Sequence, residues 1–317
     1  MLSGMTPSCP SPFRSLRILS ILLLAPLSVL HAAESSPVVS SNVRIEKDVA
    51  YLPAERSEKA DLYLPASFEP GKTYPGIVLI HGGGWTGGDK GAEREQNIGT
   101  TLAANGYVCM SINYALATAS YAAFPQNIQD CKRAVRWLRK NATRFQIDPA
   151  HIGAIGGSAG GHLTALLAAS GPETGIDPVE DAEVSCRVQA AVPMYPHCAS
   201  TWVGGVGAKQ APYTRLWMFA QSRTEAPALW DSGSPIRQLS QDDPPMLILH
   251  GTADQTTPLE QSLLLNEAAK KVGVPCELIV IEGAVHSFHL QPKQRDLRPE
   301  VLAFFAKHLK PGVPATR

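Results

Sequence analysis

Short unbroken apolar blocks alternate along the chain with longer stretches in which apolar residues recur every three or four positions. The blocks at 76–80, 107–112, 151–155, 190–194, 245–250 and 277–281 are too short for helices and are bounded by glycine, proline or polar residues. They predict strands buried on both faces. Residues 43–49 and 61–64 predict two earlier, antiparallel strands. The periodic stretches between the blocks predict helices. In 127–141, Ile128, Cys131, Val135 and Leu138 form one stripe, while Lys132, Arg133, Arg136, Arg139 and Lys140 lie off it. That basic cluster is expected to be a solvated helix face rather than a polyanion site. Strands alternating with helices imply an α/β domain: an eight-stranded, mostly parallel sheet with helices on both faces.

Two segments stand outside the alternation. Residues 18–30 are a short apolar run preceded by Arg14 and Arg17 and followed by His31-Ala-Ala33. Residues 1–33 therefore read as a secretory signal peptide, too short and proline-broken to span a membrane, and the protein is expected to be secreted or periplasmic. Residues 195–243 separate two strands and carry Trp202, Tyr213, Trp217, Trp230 and the glycine-rich run 203–207. Long insertions inside a compact domain serve as lids or binding loops, so this one is expected to cover the substrate site. No repeat or linker divides the rest, which predicts a single catalytic domain over 34–317.

Charge and cysteine narrow the partners. The chain has 28 basic and 28 acidic residues. Loss of the leader removes two arginines and no acid, leaving a net charge of about −2 and no reason to expect nucleic acid or anionic membrane as partner. Cys109, Cys131, Cys186, Cys198 and Cys276 remain, of which Cys186 and Cys198 are close enough in sequence to be disulfide candidates. The histidines are scattered without metal-ligand spacing, so no metal is expected.

The chemistry begins where the strand 151–155 stops in Gly156-Gly-Ser158-Ala-Gly160 and the helical pattern 163–169 takes over. A strained strand-to-helix turn of this kind lifts a serine oxygen clear of the backbone. The free N–H groups of the helix beginning at Ala159 face any negative charge that develops beside it. Upstream, the strand 76–80 ends in His81-Gly-Gly-Gly-Trp85, a loop able to aim further N–H groups at the same point and to set Trp85 beside the reaction centre as a substrate contact. Downstream, Asp254 follows the strand 245–250 and His286 follows the strand 277–281. Both lie at strand C-termini, where open parallel sheets place their ligands, in the chain order Ser, Asp, His of this architecture. His289 is the rival base; His286 is preferred because it comes first after the strand. Among the acids, Asp242 and Asp243 read as a solvated turn.

These residues, with Asp130-Cys-Lys-Arg-Ala-Val-Arg-Trp-Leu-Arg139, Ile147-Asp-Pro149, Ser234-Pro-Ile236 and His250-Gly-Thr-Ala-Asp254, resemble the α/β-hydrolase esterases of the bifunctional feruloyl and acetyl xylan esterase type, near the hormone-sensitive-lipase-like group. The resemblance covers roughly residues 45 to 310. It implies an α/β-hydrolase fold and a cofactor-free serine esterase acting on acetyl or feruloyl esters of plant polysaccharide. Ser158 would be the nucleophile, His286 the base and Asp254 its orienter, with the N–H groups of Gly83, Gly84 and Ala159 as the oxyanion hole. The chain departs from many lipase-like relatives at Gly157, where they carry Asp, which favours the carbohydrate-esterase branch. Gly84 stands where related arylformamidases carry an aromatic, which disfavours that activity. A general carboxylesterase or lipase-like hydrolase is the alternative. A serine peptidase of the prolyl-oligopeptidase type would need a propeller that this chain is too short to hold, and an inactive binding module would be expected to have lost a triad member.

Overall fold

The computed structural model describes residues 43–198, 218–219 and 221–310. Residues 1–33, read above as a signal peptide, and the segment 199–217, with Trp202, Tyr213, Trp217 and the run 203–207, lie outside the described residues. Eight strands form one sheet: β1 (Val43–Val49), β2 (Ala60–Pro65), β3 (Tyr74–Ile80), β4 (Val108–Ile112), β5 (Ile147–Gly157), β6 (Ala190–Met194), β7 (Met246–Gly251) and β8 (Cys276–Ile281). Their order is β1-β2-β4-β3-β5-β6-β7-β8. The pairs β1·β2 and β2·β4 are antiparallel and all others parallel. This is the α/β-hydrolase sheet.

The helices are α1 (Glu93–Ala104), α2 (Gln126–Lys140), α3 (Ala142–Phe145), α4 (Ala159–Ala169), α5 (Pro227–Ser232), α6 (Pro235–Gln238), α7 (Glu260–Lys271) and α8 (Arg298–Leu309). Side chains alternate across a strand, so each central strand feeds two cores. On β3, Val78 and Ile80 pack with Ile128, Val135 and Leu166 of α2 and α4, whereas Ile77 and Leu79 pack with Ile98, Leu102 and Phe305 of α1 and α8. The continuous apolar blocks arise from this double burial. No described helix is long and apolar enough to cross a membrane.

Three expectations need correction. Strand β5 begins at Ile147 rather than 151, because Ile147 and Asp148 pair with Tyr74 and Pro75 before an irregularity shifts the register to Gly76 and Ile152. Exposed Pro149 and Ala150 and half-buried His151, inside that irregularity, separate Ile147 from the apolar block. Apart from exposed Lys140, the basic cluster of α2 is also no solvated face. Lys132 is fully buried, its Nζ 2.6 Å from both the Ser170 carbonyl and Asp177 Oδ1. Arg136 donates to the carbonyls of Pro178, Glu180 and Val184, and Arg139 to those of Pro149, Ser185 and Arg187. The loop between α4 and β6 has few backbone partners of its own, and α2 supplies donors for its carbonyls. Finally, Asp243 is buried rather than solvated; it accepts the Ser240 N–H at 2.8 Å and pairs with Arg187 at 3.1 Å.

The five described cysteines are free thiols. Cys186 donates to Asp177 Oδ2 at 3.1 Å, while Cys198 packs with Ile248 and Leu265, so the candidate pair is not bonded. Within the described part of 195–243, Trp230 is a core residue: it packs on Phe219 at 4.9 Å and donates its indole N–H to the Gln221 carbonyl.

Because Lys132 is fully buried and serves both the Ser170 carbonyl and the partly exposed Asp177, Lys132→Met should cost about 1–3 kcal/mol, the usual penalty for leaving buried hydrogen-bonding groups unsatisfied. Lys140 pairs with Asp181 at the surface, and Lys140→Ala should cost no more than about 1 kcal/mol. Urea unfolding of both variants checks the contrast; a loss for Lys132→Met no larger than that for Lys140→Ala would mean that Lys132 is solvated after all.

Candidate active site

Ser158 stands between β5 and α4 with φ 60° and ψ −120°, a conformation that L side chains rarely adopt. Its N–H donates to the Met194 carbonyl of β6 at 3.0 Å, and its carbonyl accepts the His162 N–H at 2.9 Å, so both neighbouring elements hold the strained turn. Two glycines make the turn possible. A Cβ on Gly156 would lie 2.5 Å from the Ile80 carbonyl oxygen, and one on Gly160 would overlap that same atom. The end of β3 therefore comes closer to the serine turn than any side chain would allow, bringing the glycine loop after β3 beside Ser158.

His286 follows β8 and joins the serine to the acid. Its Nε2 is 2.9 Å from Ser158 Oγ and its Nδ1 is 2.6 Å from Asp254 Oδ2. With a carboxylate at Nδ1, that nitrogen carries the proton and donates it, which leaves Nε2 to accept the serine hydroxyl. His289 makes a different contact: its Nδ1 accepts the Gln291 N–H at 2.9 Å.

The Asp254 carboxylate is fully shielded from solvent. Burial pushes its pKa up, but the hydrogen bonds from His250, from His286 and from the Thr257 N–H outweigh that effect and hold it well below the usual carboxylate range. Oδ1 accepts the N–H groups of Thr256 and Thr257, both at 2.8 Å. His250 braces the loop, bridging the Ser262 hydroxyl at 2.6 Å and the Thr257 carbonyl at 2.9 Å. The acid thus remains ionised under His286 and can stabilise an imidazolium.

On the other side of Ser158, Gly83 and Gly84 have φ 123° and 61° and are exposed. The Gly83 carbonyl accepts the N–H groups of Thr86 and Gly87, turning the loop back on itself. Among the described residues no backbone carbonyl takes the N–H of Gly83, Gly84 or Ala159. Two neutral histidines anchor the loop. His81, pushed down to about 4 by burial, donates from Nδ1 to the Gly82 carbonyl at 2.7 Å and stacks on Tyr114 at 4.4 Å. His162, also pushed down to about 4 by burial, donates to the Gly233 carbonyl at 2.7 Å and accepts the Trp85 indole N–H at 3.2 Å. Trp85 is itself nearly buried, edge-on to His162 and His197, so its ring is fixed beside the glycine loop.

The arrangement can activate a hydroxyl and receive a developing negative charge beside it. No group of three or more His, Cys, Asp or Glu among the described residues is placed to hold a metal ion. Two residues at the site had no signal in the sequence. Tyr195, at the end of β6, packs edge-on against His286 with ring centroids 4.8 Å apart. Arg94, in the first turn of α1, donates to the Tyr195 hydroxyl at 3.2 Å. Neither belongs to a recognisable motif, and only Gly157, the odd residue before the serine, marked the space they fill.

Known proteins resemble this chain in both sequence and structure. Esterase LipQ of Mycobacterium tuberculosis is 30% identical over 245 residues, which cover 77% of this chain and 57% of that protein. The chain spans about half the length of the curated relatives it matches. A truncated carbohydrate esterase from gut microbiota superposes with a TM-score of 0.72 at 25% identity, covering 84% of this chain and 96% of that one. The propionate-bound esterase Est2 of the planctomycete Thermogutta terrifontis gives a TM-score of 0.63 at 32% identity, over 78% of this chain and 86% of that one. Residues 60–269, which run from β2 through the serine turn and Asp254 into α7, match the family described as BD-FAE, and the chain belongs to that family.

Proposed function

We propose that the chain is a serine carboxylic ester hydrolase whose substrates are acetyl or feruloyl esters of plant polysaccharides, or related short-chain esters. The observation that carries this reading is the unbroken hydrogen-bonded line from Ser158 through His286 to buried Asp254. His286 takes the Ser158 proton as the oxygen attacks the ester carbonyl, and Asp254 holds the imidazole and stabilises its charged form. The N–H groups of Gly83, Gly84 and Ala159 receive the oxyanion. One such donor is worth about 3 to 4 kcal/mol of barrier in comparable sites. His286 then returns the proton to the leaving alcohol, and water releases the acyl group by the same route.

The BD-FAE family and the carbohydrate-esterase neighbour support the polysaccharide ester. The insertion 195–243 would form the rim that meets the sugar, while Trp85, nearly buried against His162, would support the glycine loop. A leader over residues 1–33 would export the catalytic domain 34–317, where such substrates are found. The second reading, a general short-chain carboxylesterase, is favoured by the propionate held by the T. terrifontis enzyme.

Ser158→Ala should leave less than about a thousandth of wild-type turnover of p-nitrophenyl acetate, since binding and oxyanion donors alone sustain only a small residual rate. His286→Ala should be similarly impaired and His289→Ala should remain active; the reverse pattern would reassign the base.

Acyl preference separates the two readings from a lipase. Each methylene held in an apolar channel is worth about 0.8 kcal/mol, so a lipase gains efficiency with chain length. This enzyme should be fastest on acetate and fall steadily toward ten carbons and beyond, with release of acetate from acetylated xylan and cleavage of methyl ferulate. An efficiency peak at medium or long chains would point to the lipase-like alternative, and activity on simple acetate esters but not on xylan would point to the general carboxylesterase.

A further inference from the structure

Of the non-glycine residues whose backbone is left-handed, Trp85, Ser158, Tyr195 and Ser287 all lie at the candidate site. Such conformations persist only where the surroundings hold them. Ser158 is held by β6 and α4, and Trp85 by His162. Tyr195 and Ser287, which flank the base, share one device. The Tyr195 hydroxyl donates to the Phe288 carbonyl at 2.7 Å, two residues beyond His286, and its ring packs edge-on against both His286 and Phe288. The same hydroxyl accepts from Arg94 Nη1 at 3.2 Å, while Nε and Nη2 of Arg94 donate to Glu95 Oε1 at 2.9 and 2.6 Å.

The guanidinium lies against both glycine-bearing turns. A Cβ on Gly157 would stand 2.5 Å from the Tyr195 hydroxyl and 2.9 Å from Arg94 Nη1, and one on Gly82 would stand 3.2 Å from Arg94 Nη2. The position before the serine is therefore glycine because Arg94 and Tyr195 occupy its side-chain space. The arrangement is a poor source of stability: Arg94 and Glu95 are both largely buried, and Glu95 Oε2 has no hydrogen-bond partner. Buried pairs of this kind seldom repay their desolvation, so stability alone does not account for it.

We infer that Arg94 and Tyr195 are positioning residues of the ester hydrolysis proposed above: a clamp that fixes the His286 loop against the serine turn and the glycine loop. Arg94 orients the Tyr195 hydroxyl, and Tyr195 holds Phe288 and hence the imidazole in line with Ser158 Oγ. The inference rests on the esterase reading. Misplacement of a reacting group by about 1 Å can cost on the order of 100-fold in rate, and the clamp controls displacements of that size.

The test compares wild type with Tyr195→Phe, which removes the hydroxyl but keeps the ring on His286, and with Arg94→Met. The measurements are kcat and KM for p-nitrophenyl acetate, the rate and final extent of labelling by an alkyl fluorophosphonate, and the melting temperature. Tyr195→Phe should melt close to wild type, lose about tenfold or more in kcat with KM within about twofold, and label as slowly in proportion but to full extent. Full labelling at a reduced rate marks a misaligned site in folded protein; a merely structural role would lower the labelled fraction instead. The double variant should be little worse than the poorer single one, because both residues act through one contact. Unchanged kcat in Tyr195→Phe, or a loss confined to KM or to the labelled fraction, would overturn the clamp and leave the esterase reading standing. A wild type that neither hydrolyses the ester nor labels would refute the esterase reading, and the clamp would fall with it.

Discussion

The close approach of the β3 end to the serine turn is the constraint on which the site depends. Ile80 brings its carbonyl against Gly156 and Gly160 at a separation that no Cβ tolerates. Two consequences follow. The glycine loop after β3 is delivered beside Ser158 with unused N–H groups, and α4 starts immediately under the serine. A methyl group at either glycine would separate Ser158 from the N–H groups proposed as its anion donors, so the geometry of the candidate site is set first by backbone packing.

Around that contact two buried histidines are held neutral and one buried carboxylate is held ionised. His81 and His162 are buried as neutral rings that each bridge two fixed partners or surfaces, and so act as struts. Asp254 is kept ionised although buried, because two histidines and the N–H groups of Thr256 and Thr257 donate to it. His286 lies between this fixed anion and the serine hydroxyl. The preorganisation is bought with strained backbone at Ser158, Trp85, Tyr195 and Ser287, which the rest of the fold must hold in place.

The sheet was legible in the sequence because strands buried on both faces leave continuous apolar blocks, and the glycine motifs were legible because close backbone approach permits no substitute. Ser158, Asp254 and His286 could be named from their places after strands, and the structure brings them into one hydrogen-bonded line. What stayed hidden has a common cause. The early start of β5 depends on a register irregularity with β3, and the basic residues of α2 are buried by carbonyls of a distant loop. Arg94 and Tyr195 meet across 101 residues. In each case the partner is a backbone atom or a residue remote in sequence, and the one trace left in residue type is Gly157.

The central claim is that Ser158 carries the acyl group during turnover. The most direct measurement is acid quenching of the enzyme during steady-state hydrolysis of p-nitrophenyl acetate, followed by peptide mass analysis. The account predicts a single acetyl group on Ser158, absent when substrate is omitted and lost again as the ester is exhausted. Acetylation confined to another residue, or sustained turnover with no acylated peptide under conditions where deacylation is rate-limiting, would contradict it.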